Sequence, residues 1–511
     1  MKKHLYFIFL CFLLFYGSGF ASESTTMSIG NTTNNKVMLK LTRPCIIKEL
    51  EEDKQETIVE DNKENEVTNL IDDIIKNDSE TEDEKKEDKS EEKSFKPNKI
   101  YSNYNSPKNN DLFFDIYNKI IENLYITELY EIDYDYNFCN EVMDFFKEND
   151  SNNVDEYIFS NSSSNGYILS GDIIVNNENE LKLQLFLWDV LDEKFLDGKY
   201  YIIDLLNVDV DKIANTVSDF IFQKTMGESR GMFNSRIIYI SETGGVKNRT
   251  KQVSIMNFDG SKNTKITSGS SLKLTPIFSR YNPNEIFYLN YTDEGVFVFK
   301  YDLKNKTTTR ISLSGQEMTS AAAFNPNGEN QLIVSGSQDS GGTNLFLFDL
   351  NKKTNRKLTN NKSINTSASF SPDGKKIVYV SSKNGSRKLY VMDLETSEEK
   401  MVSNGAGLYD KPSWSPDGRM ISFVKILGGK FYVGVMTTEG EWERILTGAY
   451  LVEGVKWSPN SRYIIYTKQD GPYGKKSIPK LYIMDVLTRT EYKLNTPENE
   501  GASDPDWIMN F

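Results

Sequence analysis

The feature that most constrains this chain is a repeat. The pattern aromatic, Ser or Asn, Pro, Asp or Asn, Gly begins at Phe324, Phe370 and Trp414, and a shortened form begins at Trp457. Degenerate copies begin at Phe278 and Trp507, so successive aromatics lie 46, 46, 44, 43 and 50 residues apart. A fixed period of this length marks an array of identical supersecondary units. Each aromatic is followed by three β-prone runs, for example 377–380, 388–394 and 399–402. The third of the four strands often ends in an Asp-Leu pair. Four strands in 43–50 residues is the size of one blade of a β-propeller.

The ends of the array indicate a closed ring. The first unit opens at Arg236 on what should be its second strand, and the last unit ends at Trp507 on a first strand. Each end lacks what the other has. Joining them completes a sixth blade and removes two exposed edges that would invite aggregation. The expected architecture is multidomain: a small N-terminal α/β domain followed by a six-bladed β-propeller with velcro closure.

The repeated residues have a local explanation. Pro372, Pro416 and Pro459 fix φ in the turn, Asp373 and Asp417 bond nearby backbone, and Gly374 and Gly418 take positive φ. Phe278, Phe324, Phe370, Trp414, Trp457 and Trp507 are expected to pack between neighbouring blades. The Asp of each Asp-Leu pair (Asp302, Asp349, Asp393, Asp485) is expected to cap a turn. A motif present in most blades is architecture. Residues just ahead of the aromatics enter the innermost strand at one rim and differ between blades: Leu274 and Thr275, Thr319 and Ser320, Asn365 and Thr366, Tyr409 and Asp410, Val452 and Glu453, Ser503 and Asp504. Varied residues on a repeated frame are what a binding surface requires, although ordinary loop drift gives variation too.

The first 230 residues read differently. Lys2 and Lys3, an apolar run at 5–16, and Gly19-Phe20-Ala21 form a signal peptide with cleavage expected after Ala21. The run is too short to span a bilayer, and no later stretch is long enough. Residues 22–47 form an N-terminal segment whose 37–47 portion is β-prone and is a candidate first strand of the α/β domain. Residues 48–110 read as an acidic disordered insertion. Between Glu51 and Ser94 there are 19 Asp/Glu against 7 Lys, which leaves only about −2 of the formal −14 for everything else. A transient helix at 67–75 is the only local structure expected there. The α/β domain is placed at 111–230. It comprises a helix from Leu112, a shorter one at 138–146, a hairpin of 167–175 with 181–190, a strand at 199–203, and a helix at 209–225 with Asp209 at its cap and Gly227 at its end. The propeller takes 231–511.

The chemistry this chain lacks is informative. The sole histidine, His4, lies in the signal peptide, so the mature chain has no histidine base, triad or ligand. Cys45 and Cys139 are too few for a thiolate zinc site and are read either as a disulfide or as two buried thiols. Asp133 and Asp135 have no further ligands at calcium-loop spacing and are read as surface residues. There is no phosphate-binding or dinucleotide-binding glycine motif and no nucleophile elbow. No catalytic residue, metal or cofactor is expected, and the near-neutral folded part offers no basic stripe for nucleic acid.

The aromatic-Ser-Pro-Asp-Gly repeat, the Leu-Tyr-Val-Met-Asp-Leu strand at 389–394, six units and the closure together resemble the TolB family of periplasmic propellers. The junction, Phe222-Gln-Lys-Thr-Met-Gly227 followed by Gly231-Met-Phe-Asn-Ser-Arg-Ile-Ile-Tyr-Ile240, looks like that family's helix-to-propeller crossing. The resemblance covers about 112–511. It implies a periplasmic, monomeric scaffold, peripheral to membranes, for envelope integrity and cell division. It would bind a Pal-like peptidoglycan-associated lipoprotein through the propeller rim and funnel, and a TolA-like inner-membrane protein through its mature N-terminus. The site candidates are then Thr275, Thr319, Ser320, Asn365, Thr366, Tyr409, Asp410, Glu453 and Ser503. The acidic insertion departs from the family pattern near the TolA-binding end. Two other readings stay open: a glycan or small-ligand sensor, and a degenerate peptidase or lyase propeller.

Overall fold

The computed structural model describes residues 36–42, 45–47, 107–135, 137–149, 154–161, 166–177, 179–245, 248–311, 318–327, 329–337, 342–472 and 477–509. The signal peptide, the acidic stretch and the expected helix at 67–75 lie outside them. No helix among the described residues is long and apolar enough to cross a membrane. The described residues divide into two compact units, those within 38–107 and 132–208, and those within 1–37, 108–131 and 209–511.

The smaller unit is built on a sheet whose strands are β1 (Val37–Thr42), β2 (Cys45–Ile47), β3 (Tyr130–Asp135), β4 (Gly166–Asn177), β5 (Glu180–Asp189) and β6 (Lys194–Asp204). Its order is β3-β1-β4-β5-β6, with β2 also on β4. The β-prone run at 37–47 thus forms two short strands, both parallel to β4, with Met38 opposite Gly166 and Cys45 opposite Asp172. β5 alternates buried and half-buried residues, the period-two pattern of a strand with one covered face. Helices α2 (Phe138–Asn149) and α3 (Val154–Asn161) bring Phe138, Val142, Val154 and Ile158 onto Ile168 and Trp188. The Trp188 indole N–H donates to Asp155 at 2.8 Å, satisfying the polar edge of a buried ring. Cys139 is disulfide-bonded. Asp135 is not a free surface residue: it is largely enclosed and pairs with Lys40 at 2.7 Å.

The larger unit contains α1 (Pro107–Ile126, from Lys108), α4 (Val210–Met226) and the propeller. Phe113, Ile116, Ile120 and Leu124, spaced on one helical face, are all buried. α1 meets α4 where Asn123 Nδ2 donates to Asn215 Oδ1 at 2.8 Å and Ser218 Oγ at 3.1 Å. Asp209 caps α4 by accepting from the Lys212 N–H, and Gly227 ends it at φ 67°. The chain then crosses into the propeller, and Asp219 holds the crossing by accepting from the N–H groups of Met232, Phe233 and Asn234.

The described residues of the propeller form six four-stranded sheets. Blade one is 273–310, blade two 318–357, blade three 365–401, blade four 408–449 and blade five 451–493. Blade six joins Gly501–Met509 from the end of the chain to Ser235–Thr243, Thr250–Asn257 and Thr264–Lys265. Gly501 pairs with Glu242 and Met509 with Ser235, antiparallel, so the ring closes by backbone hydrogen bonds. The Trp507 indole N–H adds a bond to Ser235 Oγ at 2.6 Å.

The core lies in the seams between blades. Phe324 joins Phe287 and Leu289 between blades one and two, with ring centroids 4.5 Å apart. Phe370 fills the next seam with Ile333 and Leu345, Trp414 the one after with Val378, and Trp457 the next with Val433 and Val435. Phe278 packs with Ile238 and Ile508 between blades six and one. A buried side chain of this size contributes about 1.5–3 kcal/mol, so the repeated aromatic supplies one apolar anchor in each of these five seams.

The turn after each aromatic is a small hydrogen-bonded unit. Ser371 Oγ donates to Asp373 Oδ1 at 2.5 Å and accepts from the Lys376 N–H, while Asp373 accepts from the Lys375 N–H and Gly374 sits at φ 70°. Ser415, Asp417 and Gly418 repeat this geometry. After Pro459, Asn460 and Ser461 (φ 61°) take the same places. Asp302, Asp349, Asp393 and Asp485 each accept from the backbone N–H groups two and three residues on, closing the turn between third and fourth strands.

Candidate functional site

The innermost strands are Lys273–Phe278, Met318–Phe324, Asn365–Phe370, Leu408–Trp414, Leu451–Trp457 and Gly501–Met509. Each departs from regular pairing partway along. The register shifts between Leu274 and Ile277, Thr366 and Ser369, Asp410 and Ser413, Glu453 and Lys456, and Ser503 and Asp506, with irregularities also in blade two. In five blades the bulge carries one residue in the left-handed region: Thr275 (φ 45°), Ser367 (53°), Lys411 (46°), Gly454 (65°) and Asp504 (48°). Four of the five have a side chain, and such a conformation costs of order 1–3 kcal/mol per residue.

The consequence is a common destination. All five line one recess at the ring centre, together with Pro276, Ala368, Pro412, Val455, Lys456 and Pro505, with an empty volume of about 510 Å³ including open solvent. A bulge re-aims the residue it carries. Here it places Thr, Ser, Lys, Gly and Asp at equivalent points of the wall. The frame is repeated and the chemistry on it is not.

Charge concentrates on one side of this wall. Lys411 Nζ and Asp504 Oδ1 lie 4.0 Å apart. Burial works to lower the Lys411 pKa, but Asp504, Glu453 and Asp410 together hold it above the ordinary lysine value. Burial, reinforced by Asp504, pushes the Glu453 carboxyl up to about 7, with Lys411 and Lys251 opposing. Burial depresses the Lys456 ammonium, with Asp506 opposing. Asp506 is itself engaged, accepting from the Phe278 N–H at 2.9 Å and pairing with Arg280 at 3.0 Å.

The residues singled out from sequence separate into three groups. Thr275 lines the recess, and Glu453, Asp410 and Thr366 are partly exposed beside residues that do. The Asp410 carboxylate accepts from Arg387 at 2.5 Å. Asn365, Tyr409 and Ser503 are fully enclosed. The Asn365 amide donates to Thr343 O and Asn361 Oδ1 and accepts from Ser381 Oγ. The Tyr409 ring packs on Phe423 and its hydroxyl donates to Glu443 at 2.6 Å. Ser503 Oγ donates to Glu242 at 2.6 Å. Thr319 and Ser320 are on the blade-two strand, but their side chains fall outside the described residues.

Sequence reasoning missed the residues one step earlier. Leu272, Ile364 and Tyr450 each stand immediately before an innermost strand and are 38, 47 and 54 % exposed. Tyr291, whose N–H donates to Leu272 O, and Leu427 are also exposed on neighbouring hairpins. The available signal was an apolar residue recurring directly ahead of the strand, where solvent-facing loops are usually polar. Lys411 and Lys456 were missed as well, because nothing in the sequence marks a bulge. No group of His, Cys, Asp and Glu among the described residues could hold a metal ion.

Comparison with known proteins gives this architecture a lineage. The family profile described as the TolB beta propeller domain matches residues 222–510. Tol-Pal system protein TolB of Gluconobacter oxydans (strain 621H) is 34% identical over 334 residues, covering 64% of this chain and 71% of that protein. Its counterpart from Rickettsia canadensis (strain McKiel) is 36% identical over 359 residues, covering 67% and 77%. The crystal structure of TolB from Acinetobacter baumannii superimposes with a TM-score of 0.58 at 23% identity, covering 67% of this chain and 82% of that one, and so shows the shared fold. On the propeller match and the identity to these relatives, the chain belongs to the TolB family.

Proposed function

We propose that this protein is a non-catalytic periplasmic scaffold of a Tol-Pal system. It docks a Pal-like outer-membrane lipoprotein over the central recess and links it to inner-membrane Tol proteins. One observation carries the docking face: blade-specific residues on a repeated bulge surround a recess, and Leu272, Ile364 and Tyr450 stand exposed immediately before three of the strands that form it. Exposed apolar side chains next to strands that carry a few charged and polar groups are the composition of a protein-binding patch. Membership of the TolB family, and the names of its relatives, support the system. The signal peptide read at 1–21 supports the compartment. A sugar-stacking role has weaker support, because no aromatic side chain is among the residues described as lining the recess.

The test is capture from the native envelope by the purified chain starting at Ser22, beside Ile364→Glu and Tyr450→Glu variants shown to be folded by circular dichroism. A Pal-like lipoprotein retained by the parent and lost by both variants is the expected result. Retention by all three would move the face elsewhere. A folded parent that retains no such lipoprotein would overturn the proposal.

A further inference from the structure

The recess holds a cation that the fold itself does not use. Lys456 lines it, and no hydrogen bond or ion pair joins its ammonium to another described residue. On another part of the same wall, the Thr275 hydroxyl oxygen is buried and has no hydrogen-bond partner among the described residues. A buried hydroxyl without a partner is destabilising, and a charge that becomes covered without a counter-ion is more so. The neighbouring charges are already committed. Lys411 faces Asp504, Asp506 is held by Arg280 and the Phe278 N–H, and Glu242 takes Ser503, Lys251 and Arg249. Glu453, pushed up to about 7, is only about half ionised near neutrality and is a weak counter-ion for a lysine.

We infer that the recess is a carboxylate receptor: Lys456 and the Thr275 hydroxyl receive one carboxylate group carried into the channel by the docked protein partner. An ammonium and a hydroxyl are both donors, and an ionised carboxylate is acceptor-only with two oxygens, so one group set between them in the shared recess would serve both. The inference rests on the proposed docking face and adds its chemistry. The exposed apolar residues of the docking face supply area, and the half-buried ammonium selects a partner that presents an acidic side chain or chain terminus there. Docking covers that charge, so a partner that leaves it unpaired is penalised, which is how a site gains specificity.

Two measurements test this. The first is calorimetric titration of the chain starting at Ser22 with the soluble domain of the Pal-like lipoprotein from the same cell. Lys456→Met is expected to weaken binding at least about tenfold, Thr275→Val less, and Lys456→Arg little, because it keeps the cation. Equal affinity for parent and Lys456→Met, with Tyr450→Glu still deficient, would overturn the receptor and leave the docking face standing. The second measurement does not depend on that partner. Lysines are reductively ¹³C-methylated and the Lys456 resonance, assigned from Lys456→Arg, is followed during titration with succinate. A saturable shift that is reduced in Thr275→Val is expected. No saturable shift, or one unchanged in Thr275→Val, would overturn the site even if the lipoprotein proved not to bind at all.

Discussion

Trp457 of blade five donates its indole N–H to the carbonyl oxygen of Ser413 in blade four, 2.9 Å away in a fully buried seam. The aromatic of the repeat therefore does two things at this seam: its ring fills the gap and its one polar atom ties the blades. Trp457→Phe keeps most of the ring but leaves the Ser413 carbonyl without this donor, at an expected cost of about 1–3 kcal/mol. Trp457→Ala also opens a cavity and is expected to cost about 3–5 kcal/mol. Urea unfolding followed by circular dichroism distinguishes them. If the two variants were equally destabilised, the bond and not the ring would hold the seam; if both matched the parent, neither would.

The crossing from α4 into the propeller makes a contrast between two glycines. A Cβ on Gly231 would lie 2.1 Å from Asp219 Cγ and Oδ1, and Asp219 cannot retreat without giving up three backbone N–H groups. A Cβ on Gly227 would meet nothing, and the only penalty is its φ of 67°. Gly227→Ala is expected to cost about 1 kcal/mol. Gly231→Ala is expected to cost about 3 kcal/mol or more, in the range of overpacking or the loss of several buried bonds. Denaturation midpoints for the pair, with Asp219→Ala beside them, check the order. A Gly231→Ala protein as stable as Gly227→Ala would mean that the crossing can relax.

Much of the propeller was legible because its signals are local and periodic. A turn that needs Pro, Asp and Gly at fixed offsets writes them into the chain at each blade, as at Pro372, Asp373 and Gly374. The closure between Gly501–Met509 and Ser235–Thr243 was readable from the mismatch of the two ends. The site was less legible. Along an innermost strand, neighbours alternate between seam and channel, and the bulge resets that alternation without a sequence mark. Of the five left-handed residues only Gly454 is a glycine. Tyr409 and Asn365 thus read as rim residues and are buried, while Lys411, two residues beyond Tyr409, lines the recess. In the smaller unit, α3 has only eight residues and β6 is mostly exposed, so neither carries enough apolar periodicity to announce itself in full.

The Glu453 carboxyl gives the fold a pH dependence whose sign is fixed. Its folded pKa, about 7, is raised above the ordinary 4.5 by burial and Asp504, with Glu242 in the same sense and Lys411 and Lys251 opposing. Between those values the folded chain binds more protons than the unfolded one. The stabilisation is therefore fully present below about 4.5 and is lost as pH rises through about 7. Glu453→Gln, always neutral, is expected to flatten this part of the profile. It should gain stability relative to the parent at about pH 8 and little at about pH 5. Thermal midpoints of both proteins at the two pH values test this. A parallel pair of profiles would show that Glu453 is ionised in the native ring across this range.

Asp506 joins the last strand of the chain to blade one. It is buried, it accepts from the Phe278 N–H at 2.9 Å, and it pairs with Arg280, whose NH1 also reaches the Trp507 carbonyl at 3.1 Å. This is the seam where the ring was closed by the end of the chain, so loss here bears on closure itself. Asp506→Ala strands a guanidinium and a backbone N–H together and is expected to cost about 3–5 kcal/mol. Arg280→Ala leaves the carboxylate one backbone donor and should cost less. Because the two side chains touch, the double variant should be less damaging than the sum of the singles, with a coupling of about 0.5–3 kcal/mol. A double-mutant cycle by urea unfolding gives that coupling. A value near zero, with Asp506→Ala nearly as stable as the parent, would assign closure to the backbone ladder between Gly501–Met509 and Ser235–Thr243 alone.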